Sequence, residues 1–433
     1  MNSNHSILNK PATLSVSILA SLLLSSCLGD ESSQGAATGT NSTTQPAAAE
    51  TTKVRFVGFG DAGQATGAGP AAQTAVGNAM ASVCKEMGCD FALEFGDNFY
   101  LSGVSSTTDT QWQSKFENPY ANLNLPVFAT LGNHDNSQGP GEGSDNSKGD
   151  VQVAYHTASE NQNKKWNMPA RYYKFTAPLS SANNNGFDIN VPMGYELAQT
   201  PIEPIVEFFS LDSNPLTAIG LATNDAATYN YITYGPVMMD WYNEALKSSK
   251  APWKIAFAHH PYVSNGLHGN AGEYDGTGAV TTVFGPMKQV LSQLPLPINT
   301  VLSLTQTGEP WLDFHNNSSC TNGLDFFMFG HDHDIEWLKP QDKCGPKTNF
   351  ILSGAAEQPR AFGDPNRNPV YFQKDNILGF WWFEFSNNEM IGTAYEVTFP
   401  TGGDGSDFTV TKLHEQTMKR EGQREITVTF PTN

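Results

Sequence analysis

Positive charge is scarce in this 433-residue chain: 24 Lys and Arg stand against 43 Asp and Glu, a net charge of −19. That balance argues against a nucleic-acid surface, which needs clustered Lys and Arg to neutralise phosphate. An acidic chain that binds an anion needs local positive charge, and a metal centre is one way to supply it. Cysteine is sparse as well, five in all, and none stands in C-x-x-C spacing, which argues against a cysteine-built zinc site. No G-x-S-x-G occurs, so nothing marks a nucleophilic serine. The apolar run Leu14–Leu24 is too short to span a bilayer comfortably, and no internal repeat is visible. What remains is length, enough for one large domain or two to three small ones with an ample core.

The first segment reads as a targeting signal. Lys10 marks a weakly basic start, the apolar run follows, and Leu24-Ser25-Ser26-Cys27 closes it. Small residues directly before a cysteine resemble a bacterial lipobox, which implies cleavage before Cys27 and a lipid anchor on its thiol. Leu28 and Gly29 come next, without an aspartate, a pattern that resembles outer-membrane sorting where two membranes exist. Residues 28–52 are Ser, Thr, Ala, Gln and Gly with almost no large apolar side chain, and so form a flexible tether. Residues 1–27 are then the signal, and 53–433 the folded domain. Cys84, Cys89, Cys320 and Cys344 remain, an even number that suggests two disulfides in an exported protein. Pairing 84–89 and 320–344 is the most local of three possibilities.

Past the tether, apolar runs recur and each ends in a polar cluster. VRFVGF (54–59) meets Gly60-Asp61, FALEF (91–95) meets Gly96-Asp97, and VFATL (127–131) meets Gly132-Asn133-His134-Asp135. KIAFA (254–258) meets His259-His260-Pro261, and FFMF (326–329) meets Gly330-His331-Asp332-His333. The spacing predicts helices over 71–87 and 238–249, and antiparallel strands over 381–385, 391–399 and 408–413. Strands alternating with helices predict an α/β fold. The stretches 139–150 and 179–190 read as long surface loops, the first placed to shape access to a site.

The strand ends expose Asp61, Asp97, Tyr100, Asn133, His134, His259, His331 and His333. Oxygen and imidazole donors without cysteine suit Fe, Mn, Zn or Mg rather than a soft-metal site. On an extended segment, the H-x-H spacing would put the rings of His331 and His333 on one side, able to serve neighbouring metals. One polar strand end could be a turn; five in order are hard to assign to loop composition.

Together, GD (60–61), GDNFY (96–100), GNHD (132–135), HHP (259–261) and GHDH (330–333) resemble the signature of the dinuclear metallophosphoesterases. Within that group the chain is similar to the purple acid phosphatases, in particular the short tartrate-resistant type, from about Val54 to Lys419. The likeness extends to residues 154–175, SLDS (210–213) and ILSGAA (351–356). It implies a four-layer α/β/β/α sandwich, with residues 53–433 as the catalytic domain. Tyr100 discriminates, because most metallophosphoesterases lack it. A phenol ordinarily titrates near 10, so only a strongly Lewis-acidic ion such as Fe(III) holds it as phenolate. By the family pattern Asp61, Tyr100 and His333 would hold the ferric ion. Asn133, His259 and His331 would hold a divalent Fe, Zn or Mn, with Asp97 bridging both.

His134, and His268 in NGLHG (265–269), match outer histidines that touch phosphate and protonate the leaving alcohol. The resemblance implies in-line attack by metal-bound hydroxide on small phosphorylated substrates, with two cations about 3.5–4 Å apart. With the targeting segment, the resemblance implies an exported acid phosphatase, lipid-anchored in the bacterial cell envelope or extracellular. Ala258 before His259, His260 in place of an aromatic residue, and longer loops at 136–150 and 179–205 depart from the pattern without removing a ligand. Those loops motivate a rival reading as a phosphodiesterase, nucleotidase or pyrophosphatase of the same fold. A surface-anchored binding protein with a disused site is the rival from another class. Nothing in the sequence sets an oligomeric state.

Overall fold

The computed structural model describes residues 52–63, 69–136, 147–161, 164–179, 195–196, 203–217, 234–274, 308–421 and 425–429. The signal segment with Cys27, the tether, and most of the loops 136–150 and 179–205 lie outside the described residues. Every described element belongs to one compact unit, Thr51–Asn433.

The first apolar runs become strands buried on both faces, as parallel strands in a layered α/β fold must be. These are β1 (Val54–Phe59), β2 (Phe91–Glu94) and β3 (Val127–Ala129), with β4 (Trp166–Asn167) beside them, all parallel. The chain then builds a second sheet before it returns to the first. That sheet comprises β5 (Tyr173–Ala177), β6 (Tyr195–Glu196), β7 (Val206–Ser210), β8 (Trp253–Phe257), β9 (Phe326–Phe329), β10 (Ile335–Leu338), β11 (Asn349–Ser353) and β12 (Val370–Lys374). Finally β13 (Leu378–Phe385), β14 (Glu389–Thr398), β15 (Thr409–Glu421) and β16 (Glu425–Thr429) add antiparallel strands on the free side of β1. Among the described residues the spatial orders are β16-β15-β14-β13-β1-β2-β3-β4 and β12-β10-β11-β9-β8-β7-β5-β6.

The α-helices among the described residues are α1 (Gly69–Met87), α2 (Asn133–Asn136), α3 (Ser147–Tyr155), α4 (Asn214–Thr217), α5 (Tyr234–Ser248) and α6 (Glu309–Asn317). The helices expected over 71–87 and 238–249 are α1 and α5, and the late antiparallel strands are β13 to β15. The strand expected over 408–413 runs on to Glu421, because it pairs with β14 along its length.

Period-two alternation separates two apolar layers. Phe56, Phe91 and Phe128 of the first sheet meet Phe175 and Phe208 of the second, with the Phe56 and Phe208 rings 5.3 Å apart and edge-on. The next residue, Phe209, points the other way and packs with Tyr242 of α5. Phe327 does the same toward Trp311 of α6, while Phe326 stays between the sheets. On the opposite flank Ala72, Val76, Ala79, Met80 and Val83 of α1 are buried against the first sheet. The result is helix, sheet, sheet, helix: the expected four-layer sandwich. Cysteines 84 and 89 are joined, as are 320 and 344, so the most local pairing is the one formed.

Candidate metal centre

Strands β1, β2, β3, β8 and β9 all end at one place, where their polar clusters converge. Open α/β sheets hold ligands at such carboxyl ends. The backbone there is unusual. Among the described residues five non-glycine residues have positive φ, and three of them are Asp61 (59°), Asp97 (52°) and His331 (73°). L-residues enter this region at a cost, and such residues cluster at functional sites. Gly96 precedes Asp97 with φ 83° and lies where a Cβ would come within 2.8 Å of the His259 Cβ. At Gly132 a Cβ would lie 2.1 Å from the Asp97 Oδ1, so only glycine lets the two loops close.

Hydrogen bonds hold the loops in place. Asp61 N–H donates to Gly96 O at 3.0 Å, and Tyr100 N–H to Gly63 O at 2.9 Å. The buried Asp135 carboxylate accepts from the N–H groups of Gly132 (2.7 Å), Asn98 (3.0 Å) and Phe99 (3.1 Å). It thereby ties the tyrosine loop to the asparagine loop. The sequence carried Asp135 inside GNHD without marking this role, because an aspartate in a turn has too many ordinary reasons to be there.

The donors fall into two groups. In one, Tyr100 Oη donates to Asp61 Oδ1 at 2.9 Å and lies 3.2 Å from His333 Nε2, itself 3.4 Å from Asp61 Oδ1. In the other, His259 Nε2 lies 3.0 Å from Asn133 Oδ1 and 3.1 Å from His331 Nδ1. Asp97 stands between them, with Oδ2 3.4 Å from His259 Nε2 and ligand atoms of Asp61, Asp97 and His259 within 4.8 Å of one another. All seven residues expected as ligands are thus brought together. Outer partners aim two of the rings: His259 Nδ1 sits 2.9 Å from Phe95 O and His333 Nδ1 2.5 Å from Gln358 O. Each must donate to its carbonyl, which turns the Nε2 lone pair inward as a metal ligand requires.

Burial raises the Asp61 carboxyl to about 8, with His259 pulling it down and Asp97 pushing it up. Burial also pushes Asp97 up, but His259 and His134 outweigh it and hold that carboxyl well below the usual range. For His259 burial disfavours the charge, yet Asp97 and Asp61 raise the imidazole to about 9. The Tyr100 phenol is driven well above its ordinary value by burial and by the two carboxylates. Burial, with the positive Arg360 nearby, lowers His333 to about 3. Two carboxyl groups, a phenol, an amide oxygen and three imidazoles, gathered in one place, fit cations with oxygen and nitrogen preference.

One expectation needs correction. The H-x-H segment is not extended: Asp332 N–H donates to Gly330 O and Asp334 N–H to Asp332 O, each at 2.9 Å, so two tight turns follow one another. His331 and His333 reach different groups because the backbone folds between them, not because alternate residues share a side. The turn also buries Asp332, whose carboxylate accepts from His268 N–H at 2.7 Å and Gly269 N–H at 3.2 Å.

The two outer histidines flank the donors. His134 N–H donates to Asp97 Oδ1 at 2.9 Å, its Nδ1 lies 3.0 Å from Leu101 O, and its ring is 4.4 Å from that of Tyr100. His268 has its ring 4.3 Å from that of His331. Each is half-buried, one beside each donor group.

A family model described as calcineurin-like phosphoesterase matches residues 54–334. The chain belongs to the calcineurin-like phosphoesterase family. Tartrate-resistant acid phosphatase type 5 of Sus scrofa is 25% identical over 89% of this chain and 92% of its own length. Purple acid phosphatase 17 of Arabidopsis thaliana is 24% identical over 70% of this chain and 69% of its own. The solved structure of GAP50, the anchor in the inner membrane complex of Plasmodium, shares the fold with a TM-score of 0.52 at 16% identity, covering 83% of this chain and 88% of that one. Phosphoester hydrolysis is therefore the reaction class of this calcineurin-like phosphoesterase, its relatives are acid phosphatases, and the acid and imidazole cluster is where a metal belongs.

Proposed function

We propose that this phosphoesterase is an exported acid phosphatase for small phosphomonoesters, working with a ferric and a divalent ion and anchored by a lipid on Cys27. The observation that carries the reading is the Tyr100 phenol, within 3.2 Å of both Asp61 Oδ1 and His333 Nε2. A buried phenolate beside carboxylates is costly unless a strongly Lewis-acidic cation holds it. Asp61, Tyr100 and His333 would hold the ferric ion, Asn133, His259 and His331 the divalent Fe, Zn or Mn, and Asp97 both. When bound, such an ion pair supplies Lewis acidity that attracts phosphate oxygens and makes water easier to deprotonate.

The chain's own groups do the rest. His134 Nδ1–H donates a hydrogen bond to the Leu101 carbonyl, which fixes the ring. Its Nε2, when protonated, is the group that hands a proton to the departing alcohol oxygen. His268, fixed through its backbone by Asp332, binds phosphate from the other side. Six of the seven residues, all but the half-buried His331, are buried, which limits competing solvation of charge at the site.

The test uses the full chain, with metal content, visible absorption and turnover measured on one preparation. Two ions including one iron, a visible band, and faster cleavage of an aryl monoester than of the matching diester are expected. A colourless oxidised protein holding two ions would overturn the iron–tyrosinate assignment, and faster diester cleavage the monoester assignment. Cys27→Ser should release the protein from membranes with activity intact; persistence there at wild-type level would refute the lipid anchor.

A further inference from the structure

The second histidine of the HHP motif has no part in the ligand set carried over from the family pattern. Consecutive residues of an extended strand project to opposite sides. Beyond β8 the chain bends, and the rings of His259 and His260 lie 5.0 Å apart at 80°. The His260 ring is also 4.5 Å from that of His331. One ring nitrogen from each of His259, His260 and His331 lies within 4.8 Å of the others. His260 is thus a third imidazole at the half of the site assigned to the divalent ion.

Its surroundings prepare it for that role. Ser213 Oγ lies 2.7 Å from His260 Nδ1 and Thr217 Oγ1 lies 3.2 Å away. The His260 backbone N–H donates to the same serine oxygen at 3.3 Å, and the Trp311 indole N–H donates to the His260 carbonyl at 3.0 Å. Ring and backbone are therefore both held. With Nδ1–H donating to Ser213, the lone pair remains on Nε2, which lies 3.4 Å from Thr217 Oγ1. Metal-bound histidines characteristically donate the other ring N–H in this way.

We propose that His260 is a further nitrogen ligand of the divalent half-site and biases that half-site toward zinc over manganese. The inference rests on the proposed two-ion reading. Its chemical ground is that imidazole suits Zn²⁺, whereas Mn²⁺ favours oxygen donors. An aromatic residue at this position, as the family motif has, would leave the half-site with two imidazoles instead of three.

The experiment takes the full chain with its iron in place and titrates Zn²⁺ and Mn²⁺ against a competing chelator. His260→Phe should weaken zinc binding by roughly 10–100-fold, the range seen when a group supporting a metal is lost. Manganese binding should weaken less, so the zinc-to-manganese preference narrows. Ser213→Ala keeps the ring but frees it, and should shift the preference the same way by a smaller factor. It also decides the matter if His260→Phe does not fold. An unchanged preference in either folded variant, in a wild-type protein that holds two ions and turns over substrate, overturns the ligand role alone. A wild-type protein unable to hold a second ion overturns the two-ion reading beneath it.

Discussion

Asp61, Tyr100 and His333 on one side of the site, and Asn133, His259 and His331 on the other, are built from the same two sheets yet differ in chemistry. The first group offers two oxygens that become anionic and one imidazole, all buried. The second offers an amide oxygen and two imidazoles, and His331 is half-buried beside His268. Oxygen donors that can become anionic suit a highly charged ion, while neutral amide and imidazole donors suit a divalent one. The asymmetry is one of charge, since His259 and Asn133 are buried like the first group and only His331 is half-buried, and Asp97 stands between the groups.

The largest effect should come from the residue that joins the two groups. Asp97→Asn keeps the shape but removes the shared charge, so both ions and turnover should fall together. A loss of roughly 10³-fold or more is expected from forfeiting several kcal/mol of Lewis-acid stabilisation. Retention of two ions with near-normal turnover would end the idea that the groups are coupled through it.

Next comes a change that leaves both groups intact. His134→Ala should hold its metals while kcat falls roughly 10²–10⁴-fold on alkyl phosphates, the usual worth of general acid catalysis. The deficit should shrink for a nitrophenyl phosphate, whose leaving group needs little protonation. Equal losses on both substrates would reduce His134 to phosphate positioning, and a loss of metal would make it structural.

Tyr100→Phe breaks one group alone. The visible band should vanish and iron affinity drop by roughly 10–100-fold, while the divalent ion stays. The ring remains packed against His134, so thermal unfolding should move little. If the band survives, the phenol is not its source.

The smallest effect is expected far from either group. Lys53 Nζ and Arg55 Nε lie 2.5 and 2.6 Å from the two oxygens of Glu384. Burial pushes that carboxyl up, but the two cations outweigh it and hold the group below its ordinary 4.5. A depressed carboxyl stabilises the fold above its unfolded value and loses that contribution as pH falls through the folded one. Glu384→Gln should therefore cost at most about 1 kcal/mol near neutrality, the range for exposed pairs, and nothing in strong acid. Denaturant midpoints at both pH values check this; an equal loss at both would mean the ion pair is not the cause.

Much of this was legible beforehand because it is local. Runs such as VRFVGF and FFMF become strands at once, since four to six apolar residues closed by glycine have few other stable fates. Tyr100 stood out because a phenol at a ligand position is chemically demanding. By contrast β4 and β6 have two residues each, too few to show a period, and their strands exist only through their neighbours. Asp135, Asp332 and His260 were visible as residues and silent as partners: an aspartate that receives three backbone N–H groups looks like any turn aspartate until the loops meet. The H-x-H geometry was misjudged for a related reason, since His331 adopts φ 73° against its own preference and only surrounding packing can impose that.

The sequence by itself determined the class of donor, the strand each one follows and the apolar faces that pair the layers, all properties that repeat within a few residues. Which donors stand beside one another was decided only by the tertiary structure. It brings residue 61 beside residue 333 by inserting an entire second sheet between β4 and β13. Contacts across such separations depend on strand order and on the loops that close over one another at Gly96 and Gly132, where a single Cβ would hold them apart. Local pattern has no access to that, because loop closure over hundreds of residues is set by the fit of the whole core and not by any one segment's preference.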